Sequence, residues 1–374
     1  MRKRTASRNA NTRPISCVDL FCGAGGLSYG LTKAGIRVAA GVDLDPACDY
    51  PYRTNNPGKF LRRDVVALEA SELKRFFRRG ELRLLAGCAP CQPFSKYSQA
   101  RPASESADWA LLDEFGRLII DLEPELVTME NVPEIRTDEV FLRFLSVLEG
   151  YHVWYDVVDC SKLGMPQSRR RLVLLASKLG PVRLKAPTGR TKQATVKHAI
   201  GELRSLEAGG RDPVDRIHVA AGLKPINLAR IKQSIPGGTW RDWDDELRAR
   251  CHTRESGVGY GAVYGRMEWD KPAPTMTTLC YGFGNGRFGH PEQDRAISLR
   301  EAAILQTFPK NYEFVAECER VHFSTIGRLI GNAVPPRLGE IIGKTFADHV
   351  AKHFENVRLA SGTRASRTAR TTRT

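Results

Sequence analysis

Residues 87–95 read G-C-A-P-C-Q-P-F-S, with Cys88 and Cys91 separated by two residues. A structural zinc site needs four ligands, and no second C-x-x-C occurs in the chain. A thioredoxin-like redox pair opens a helix, whereas Pro93 follows two residues after Cys91. The preceding run, L-R-L-L-A-G-C, has the composition of a buried strand, which makes Cys88 a packed core thiol. Cys91 then stands beyond the strand's carboxyl end, where open α/β sheets bind their ligands. A thiolate in that position is a nucleophile.

Two further stretches bring complementary chemistry to strand ends. M-E-N-V-P (129–133) places Glu130 at the end of another apolar run, where a carboxyl group can protonate a substrate as a cysteine attacks it. Taken without the cysteine, Glu130 reads first as a helix-capping or loop acid. Q-S-R-R-R (167–171) sets a glutamine and three arginines before the apolar strand R-L-V-L-L-A-S. Such a cluster is either a solvated face or a set of guanidinium forks for carbonyl and phosphate oxygens.

A nucleoside-binding pattern opens the chain. D-L-F-C-G-A-G-G-L-S (19–28) joins a strand to a helix through Gly23, Gly25 and Gly26, a turn that brings free backbone N–H groups close to a ligand. Asp43 lies twenty residues past Gly23, at the end of the second predicted strand, where a carboxylate can accept from two ribose hydroxyls. Turn and acid alone fit a nicotinamide cofactor, S-adenosylmethionine or a plain tight turn. Asp64 is a further acid near a strand end, placed either at an adenine amine or on the surface.

The elements that must position these residues alternate between strands and helices from residue 15 to about 178, which predicts a mostly parallel, doubly wound sheet. Residues 179–298 are rich in Gly, Pro and charged side chains and read as a separate, loop-rich unit, with helical periodicity returning near Leu299. No apolar run approaches a membrane span. The basic N-terminus has no apolar stretch behind it, so it is not read as a secretory signal. Nine cysteines are read as reduced thiols of a cytoplasmic protein.

The net charge is +15 over 374 residues. Arg2, Lys3, Arg4, Arg8 and Arg13 at one end, and the five arginines of residues 358–374 at the other, are unaccompanied by any acid. Both ends are expected to be disordered and to be drawn to nucleic acid phosphates.

In order, F-C-G-A-G-G, P-C-Q-P-F-S, E-N-V, Q-x-R-x-R, R-E-A-A-x-L-Q-T-F-P and G-N-A-V-P-P resemble the DNA (cytosine-5) methyltransferase family over residues 15 to about 350. The resemblance implies an α/β Rossmann-like catalytic domain that uses S-adenosyl-L-methionine, with a smaller loop-rich target-recognition domain. The expected organisation is a basic arm (1–13), a catalytic and cofactor-binding domain (14–178), a target-recognition domain (179–310), a return to the catalytic domain (311–356) and a basic tail (357–374).

Carried over by position, Cys91 is the nucleophile and Glu130 its acid partner, Arg171 contacts the base, and Arg169 braces the glutamate or a phosphate. Phe21, Gly23, Gly25, Leu27, Asp43, Leu44, Asp64, Val65, Pro90, Asn332 and Val334 line the cofactor pocket. Gln92 and Ser95 beside the nucleophile, and Arg254, Arg266 and Arg287 in the second domain, are the candidate DNA contacts. No metal is expected. A positive environment is expected to lower the Cys91 pKa below its free value of about 8.5, and the small polar residues after Ser95 suit a lid.

The departure from the family is C-A-P-C where G-P-P-C is common. The implied activity is methyl transfer to C5 of a cytosine flipped out of duplex DNA, by a monomer paired functionally with a restriction endonuclease. Three other readings compete. A tRNA cytosine-5 methyltransferase is disfavoured by the large second domain and the absence of a C-F-T tripeptide. A nicotinamide-dependent oxidoreductase leaves P-C-Q, E-N-V and G-N-A-V-P-P without a role. A silent DNA-binding protein has no need of Cys91, Glu130 and Arg171.

Overall fold

Ile15–Leu20 (β1) is buried along its whole length, the pattern of a strand covered on both faces. It lies near the middle of one seven-stranded sheet completed by Arg37–Asp43 (β2), Lys59–Arg62 (β3), Leu82–Gly87 (β4), Leu126–Asn131 (β5), His152–Asp159 (β6) and Arg170–Ser177 (β7). The spatial order is β3-β2-β1-β4-β5-β7-β6. The first five strands pair in parallel, while β7 runs antiparallel to both β5 and β6. The computed structural model describes residues 13–90, 108–187, 193–250, 252 and 254–371.

Helices Gly26–Lys33 (α1), Asp49–Asn55 (α2), Ala70–Lys74 (α3), Asp108–Leu122 (α4) and Glu139–Val147 (α5) alternate with the strands. Leu73, Phe115 and Phe141 of α3, α4 and α5 fill one core. Leu27 and Leu31 of α1 fill another. The predicted doubly wound, mostly parallel sheet is present.

The loop-rich unit carries Val196–Ile200 (α6), Pro225–Gln233 (α7) and Glu255–Val258 (α8). It has a small core of its own, built on Ile231, Trp240, Trp243, Phe283 and Ala296. Both indoles are satisfied, Trp240 by the Tyr260 carbonyl and Trp243 by Ser234 Oγ.

The chain then returns through Leu299–Leu305 (α9), Phe323–Asn332 (α10) and Pro336–Thr371 (α11). Leu338, Ile342 and Phe346 of α11 join Leu27 and Leu31 in one core. Gly30 permits this: a Cβ there would stand 2.2 Å from the Pro336 carbonyl oxygen. The end of the fold is thereby docked on the first helix, beside the glycine turn.

Leu299, Ala302 and Leu305 of α9 share a core with Cys22, Ala24 and Tyr52, and Gln167 donates to the Leu305 carbonyl. The same core takes in Val196, Ile217 and Met267 of the loop-rich unit, so both parts of the chain pack around it. The tail expected to be disordered from residue 357 continues α11 to Thr371. Helix nucleation is the costly step, and α11 is already anchored by its first turns, so its extension does not depend on strong helix formers alone.

Candidate active site

The glycine turn is built from three left-handed residues in five: Phe21 (φ 55°), Gly23 (φ 53°) and Gly25 (φ 90°). A Cβ on Gly25 would fall 2.3 Å from Asn56 Nδ2, so space as well as conformation requires glycine there. Asp43, at the end of β2, fastens the turn. Its Oδ2 accepts from the Gly23 N–H at 2.8 Å and its Oδ1 from the Asp45 N–H at 2.9 Å. Each oxygen keeps one lone pair for an outside donor. Burial raises the Asp43 pKa, against the opposing pull of these two N–H groups.

Around this turn, Leu44 is 58% exposed, an apolar side chain standing in the open just past the end of β2. Asp64 is exposed, with Oδ1 accepting from the Val66 N–H. Leu27, Val65 and Val334 are buried, so their side chains serve the core and only their backbone is available to a ligand. Pro90 and Asn332 are exposed.

Glu130 ends β5 and is only 3% exposed. Arg171, on the neighbouring antiparallel strand β7, places Nε 3.1 Å from Glu130 Oε1. The Cys88 thiol donates to Glu130 Oε2 at 2.9 Å. Next to it, Asn131 Nδ2 donates to the Ala89 carbonyl at 3.2 Å. The segment leading to Cys91 is thus tied to the end of β5 by two side chains. Cys91, Gln92, Ser95 and the expected lid lie outside the described residues.

Three expectations need correcting. Arg169 does not brace Glu130. It is buried and donates to the carbonyls of Met276 (3.1 Å), Gly331 (3.1 Å) and Ala333 (3.5 Å). Burial, helped by the charge of Arg171, pushes its pKa down to about 9. Arg169 is an internal tie between the two halves of the site, and Arg171 takes the bracing role.

Arg266 is not an exposed base reader. It is 5% exposed and its guanidinium is spent on the carbonyls of Ile231, Ser234, His290 and Gln293 and on Asp294. Cys88, expected in the core, only packs against its margin and turns its sulfur to Glu130.

The other two arginines of the second domain differ from each other. Arg254 is exposed just before α8. Arg287 is partly buried, with Nη1 donating to the carbonyls of Gly238 and Arg266.

A cavity of about 560 Å³ joins the two domains. Arg171 and Asn332 line it from the catalytic side, His252, Tyr260 and Asn285 from the other, with Thr277 between. Sequence reasoning missed His252, which stacks on Trp240 at 4.5 Å and lies beside Trp243 and Tyr264. The three aromatics are conspicuous in the sequence, but nothing there draws a histidine between them. Gln167, singled out in the sequence without a role, is buried and accepts from the Met276 N–H through Oε1 while donating through Nε2 to the Leu305 carbonyl.

The arrangement offers a buried carboxyl group held by a guanidinium at the rim of a two-sided cleft, next to a turn suited to a nucleoside. Among the described residues no His, Cys, Asp and Glu cluster could hold a metal ion, and no helix is long and apolar enough to cross a membrane.

Comparison with known proteins adds four findings. The family of C-5 cytosine-specific DNA methylases matches residues 15–348. The type II methylase M.HgiDII of Herpetosiphon aurantiacus is 51% identical over 334 residues, covering 88% of this chain and 94% of that protein. The type II methyltransferase M.PspPI of Psychrobacter sp. is 29% identical over 347 residues, covering 89% and 79%. Among solved structures, a DNA modification methyltransferase encoded within an E. coli prophage superposes with a TM-score of 0.70 over 90% of this chain and 99% of that one, at 22% identity. At that identity the likeness is one of fold.

Proposed function

This chain belongs to the C-5 cytosine-specific DNA methylase family, and from that premise we propose that it methylates a flipped-out cytosine within a specific duplex sequence through a covalent bond to Cys91. It is a DNA (cytosine-5) methyltransferase, and its family depends on S-adenosyl-L-methionine. The observation that supports the finer reading is the ion pair of the buried Glu130 with Arg171, the member of the pair that lines the cleft.

Cytosine C5 is a weak nucleophile in the intact ring. Addition of the Cys91 thiolate at C6 breaks the conjugation and leaves C5 enamine-like, which splits one difficult step into two. Glu130 binds N3 and the exocyclic amine and supplies a proton as negative charge develops. Arg171 holds Glu130 on one side and faces the cleft on the other, where it can also meet the base oxygen. Loss of the C5 proton and departure of the thiolate restore the aromatic ring.

The cofactor, when bound, supplies an electrophilic methyl sulfonium. The residues present fit it. The free lone pairs of Asp43 suit ribose hydroxyls, and the exposed Leu44 offers an apolar surface to adenine. Asp64 could accept from the adenine amine, and Phe21, Gly23 and Gly25 form a turn whose backbone would hold the cofactor. Asn332 and Val334 close the pocket from the far end of the fold.

Duplex DNA buries the target carbon in the base stack, so the base must be extruded, at a cost of a few kcal/mol. Arg254, Arg287, Gln92 and Ser95 remain the proposed DNA contacts. The two type II relatives support a role as the modification half of a restriction–modification pair; the protein is read as a cytoplasmic monomer.

Labelled methyl transfer to duplex DNA and to tRNA tests the reading. Transfer to a defined duplex site is expected, and a preference for tRNA overturns it. Cys91→Ser is expected to abolish turnover while cofactor binding stays near wild type. C5 methylation by that variant would exclude the covalent route.

A further inference from the structure

Cys88 stands three positions before Cys91 in the sequence, and the reaction proposed above uses only Cys91. Cys88 sits where the family commonly has a small residue, just past the end of β4. Its sulfur lies 2.9 Å from Glu130 Oε2, while Arg171 holds Oε1. The Cys88 thiol is thus the hydrogen-bond donor to this carboxylate, while Oε1 has the charge of Arg171 beside it but no hydrogen bond among the described residues. The Asn131–Ala89 hydrogen bond fixes the same strand crossing one residue further on.

We propose that Cys88 is a positioning residue for Glu130, its S–H holding Oε2 in the bonding direction until the amino group of the incoming cytosine takes that oxygen. The inference rests on the reading of Glu130 as the residue that binds and protonates the base.

Several observations agree with it. Glu130 is almost wholly enclosed, so an oxygen left without a donor would find no bulk water to replace the thiol. A thiol is a weak donor and therefore gives way easily to a stronger one. Enclosure of the sulfur, then the charge of Glu130, raise the Cys88 pKa well above the ordinary thiol range. Cys88 thus keeps its proton under conditions in which Cys91 must lose one. The two thiols are assigned opposite states for opposite tasks.

The effect should appear in the chemical step. Misplacing a reacting group by a fraction of an ångström is costly to the rate. Cys88→Ala is expected to lower kcat roughly 10-fold while KM for duplex DNA stays within about two-fold. Cys88→Ser retains a donor at that position and is expected to recover most of the loss. In a Glu130→Ala background, measured in single turnover, Cys88→Ala should cost less than about two-fold more, because its acceptor is gone. Thermal unfolding of Cys88→Ser and Cys88→Ala checks that both fold.

A wild-type rate in Cys88→Ala would overturn the proposal. So would a full 10-fold loss in the Glu130→Ala background, or a serine variant no better than alanine. If Glu130→Ala itself keeps the wild-type rate, the assignment of Glu130 falls, and the proposal falls with it. An inactive Glu130→Ala alongside indifferent Cys88 variants removes the positioning role alone.

Discussion

Arg171 and Glu130 meet across the β5–β7 pairing, with Nε 3.1 Å from Oε1 and the carboxylate 3% exposed. The register places Glu130 opposite Val173, two residues along from Arg171, so a long side chain must reach diagonally along the strand. Neither group would be comfortable alone in this position. Together they put a fixed carboxyl group at the edge of the sheet that carries the rest of the chemistry.

Glu130→Gln preserves the shape of the carboxyl group and removes its proton chemistry. Methyl transfer is expected to fall by roughly 10²–10⁴-fold, the usual contribution of a general acid, with cofactor affinity little changed. Arg171→Ala should fall by on the order of 10²-fold because Glu130 loses its charge partner. Arg171→Lys should recover only part of this, since an ammonium cannot reproduce the guanidinium geometry. Single-turnover rates on duplex DNA check the series. An Arg171→Ala variant as fast as wild type would mean that the pair has no catalytic role.

Stability should be most sensitive at Arg295, which is fully buried and pairs with Glu301 through two 2.7 Å hydrogen bonds. Glu301 also caps α9, accepting from the Ser298 N–H at 2.7 Å. Burial alone would raise the Glu301 pKa. The Arg295 hydrogen bonds outweigh it and hold the group below the usual range. Arg295→Ala leaves that carboxylate enclosed and unpaired, a change that costs about 3–5 kcal/mol in buried pairs. Adding Glu301→Gln should restore part of the loss, because an amide keeps the capping acceptor without needing a counter-ion. Chemical denaturation of the single and double variants measures both effects.

These two sites differ in how far the sequence could announce them. Cys91, Glu130 and Asp43 each follow an apolar run, and an apolar run ending in a reactive side chain marks the carboxyl edge of a buried strand. That is why the sheet, the turn and the acid were legible. The fate of the arginines was not. Arg169, Arg171 and Arg266 have the same side chain, and what separates them is how many carbonyl oxygens the fold brings within reach. Those carbonyls come from residues up to 164 positions away. Cys88 was misread for a related reason: a residue in an apolar strand is expected in the core, yet the strand's last turn swings its sulfur to a partner 42 residues on.

His290 makes a second stability test, through pH. It is almost fully buried, and its Nδ1 accepts from the N–H groups of Glu292 and Gln293. Burial pushes its pKa down to about 4; Glu301 opposes this, while Arg295 and Arg266 add to it. The unfolded chain has a histidine pKa near 6.5, so between these values the unfolded state binds more protons. The contribution of neutral His290 is therefore complete above about pH 6.5 and is lost as pH falls toward 4. His290→Asn retains an acceptor but does not titrate in this range. The denaturation midpoint of wild type should fall more steeply over that window than that of the variant, by the equivalent of on the order of 1–3 kcal/mol. Parallel curves would show that His290 is not buried in its neutral form.

The basic C-terminus gives the last prediction. Residues 355–360 of α11 are exposed. Residues 358–374 carry five arginines and no acid. Each phosphate neutralised contributes on the order of 0.9 to the slope of log affinity against log salt. Deleting 358–374 should therefore weaken binding to arbitrary duplex DNA and flatten its salt dependence. The methylated sequence should stay the same, because the residues facing the cleft are untouched. The unfolding midpoint should stay close to wild type, since the anchoring side chains Leu338, Ile342 and Phe346 remain. Binding titrations at several salt concentrations, with bisulfite sequencing of the methylated product, separate the two effects. A truncated protein with an unchanged salt slope would show that these arginines do not meet the phosphates. A changed methylation site would make the tail part of the reading apparatus, against the assignment of that task to the second domain.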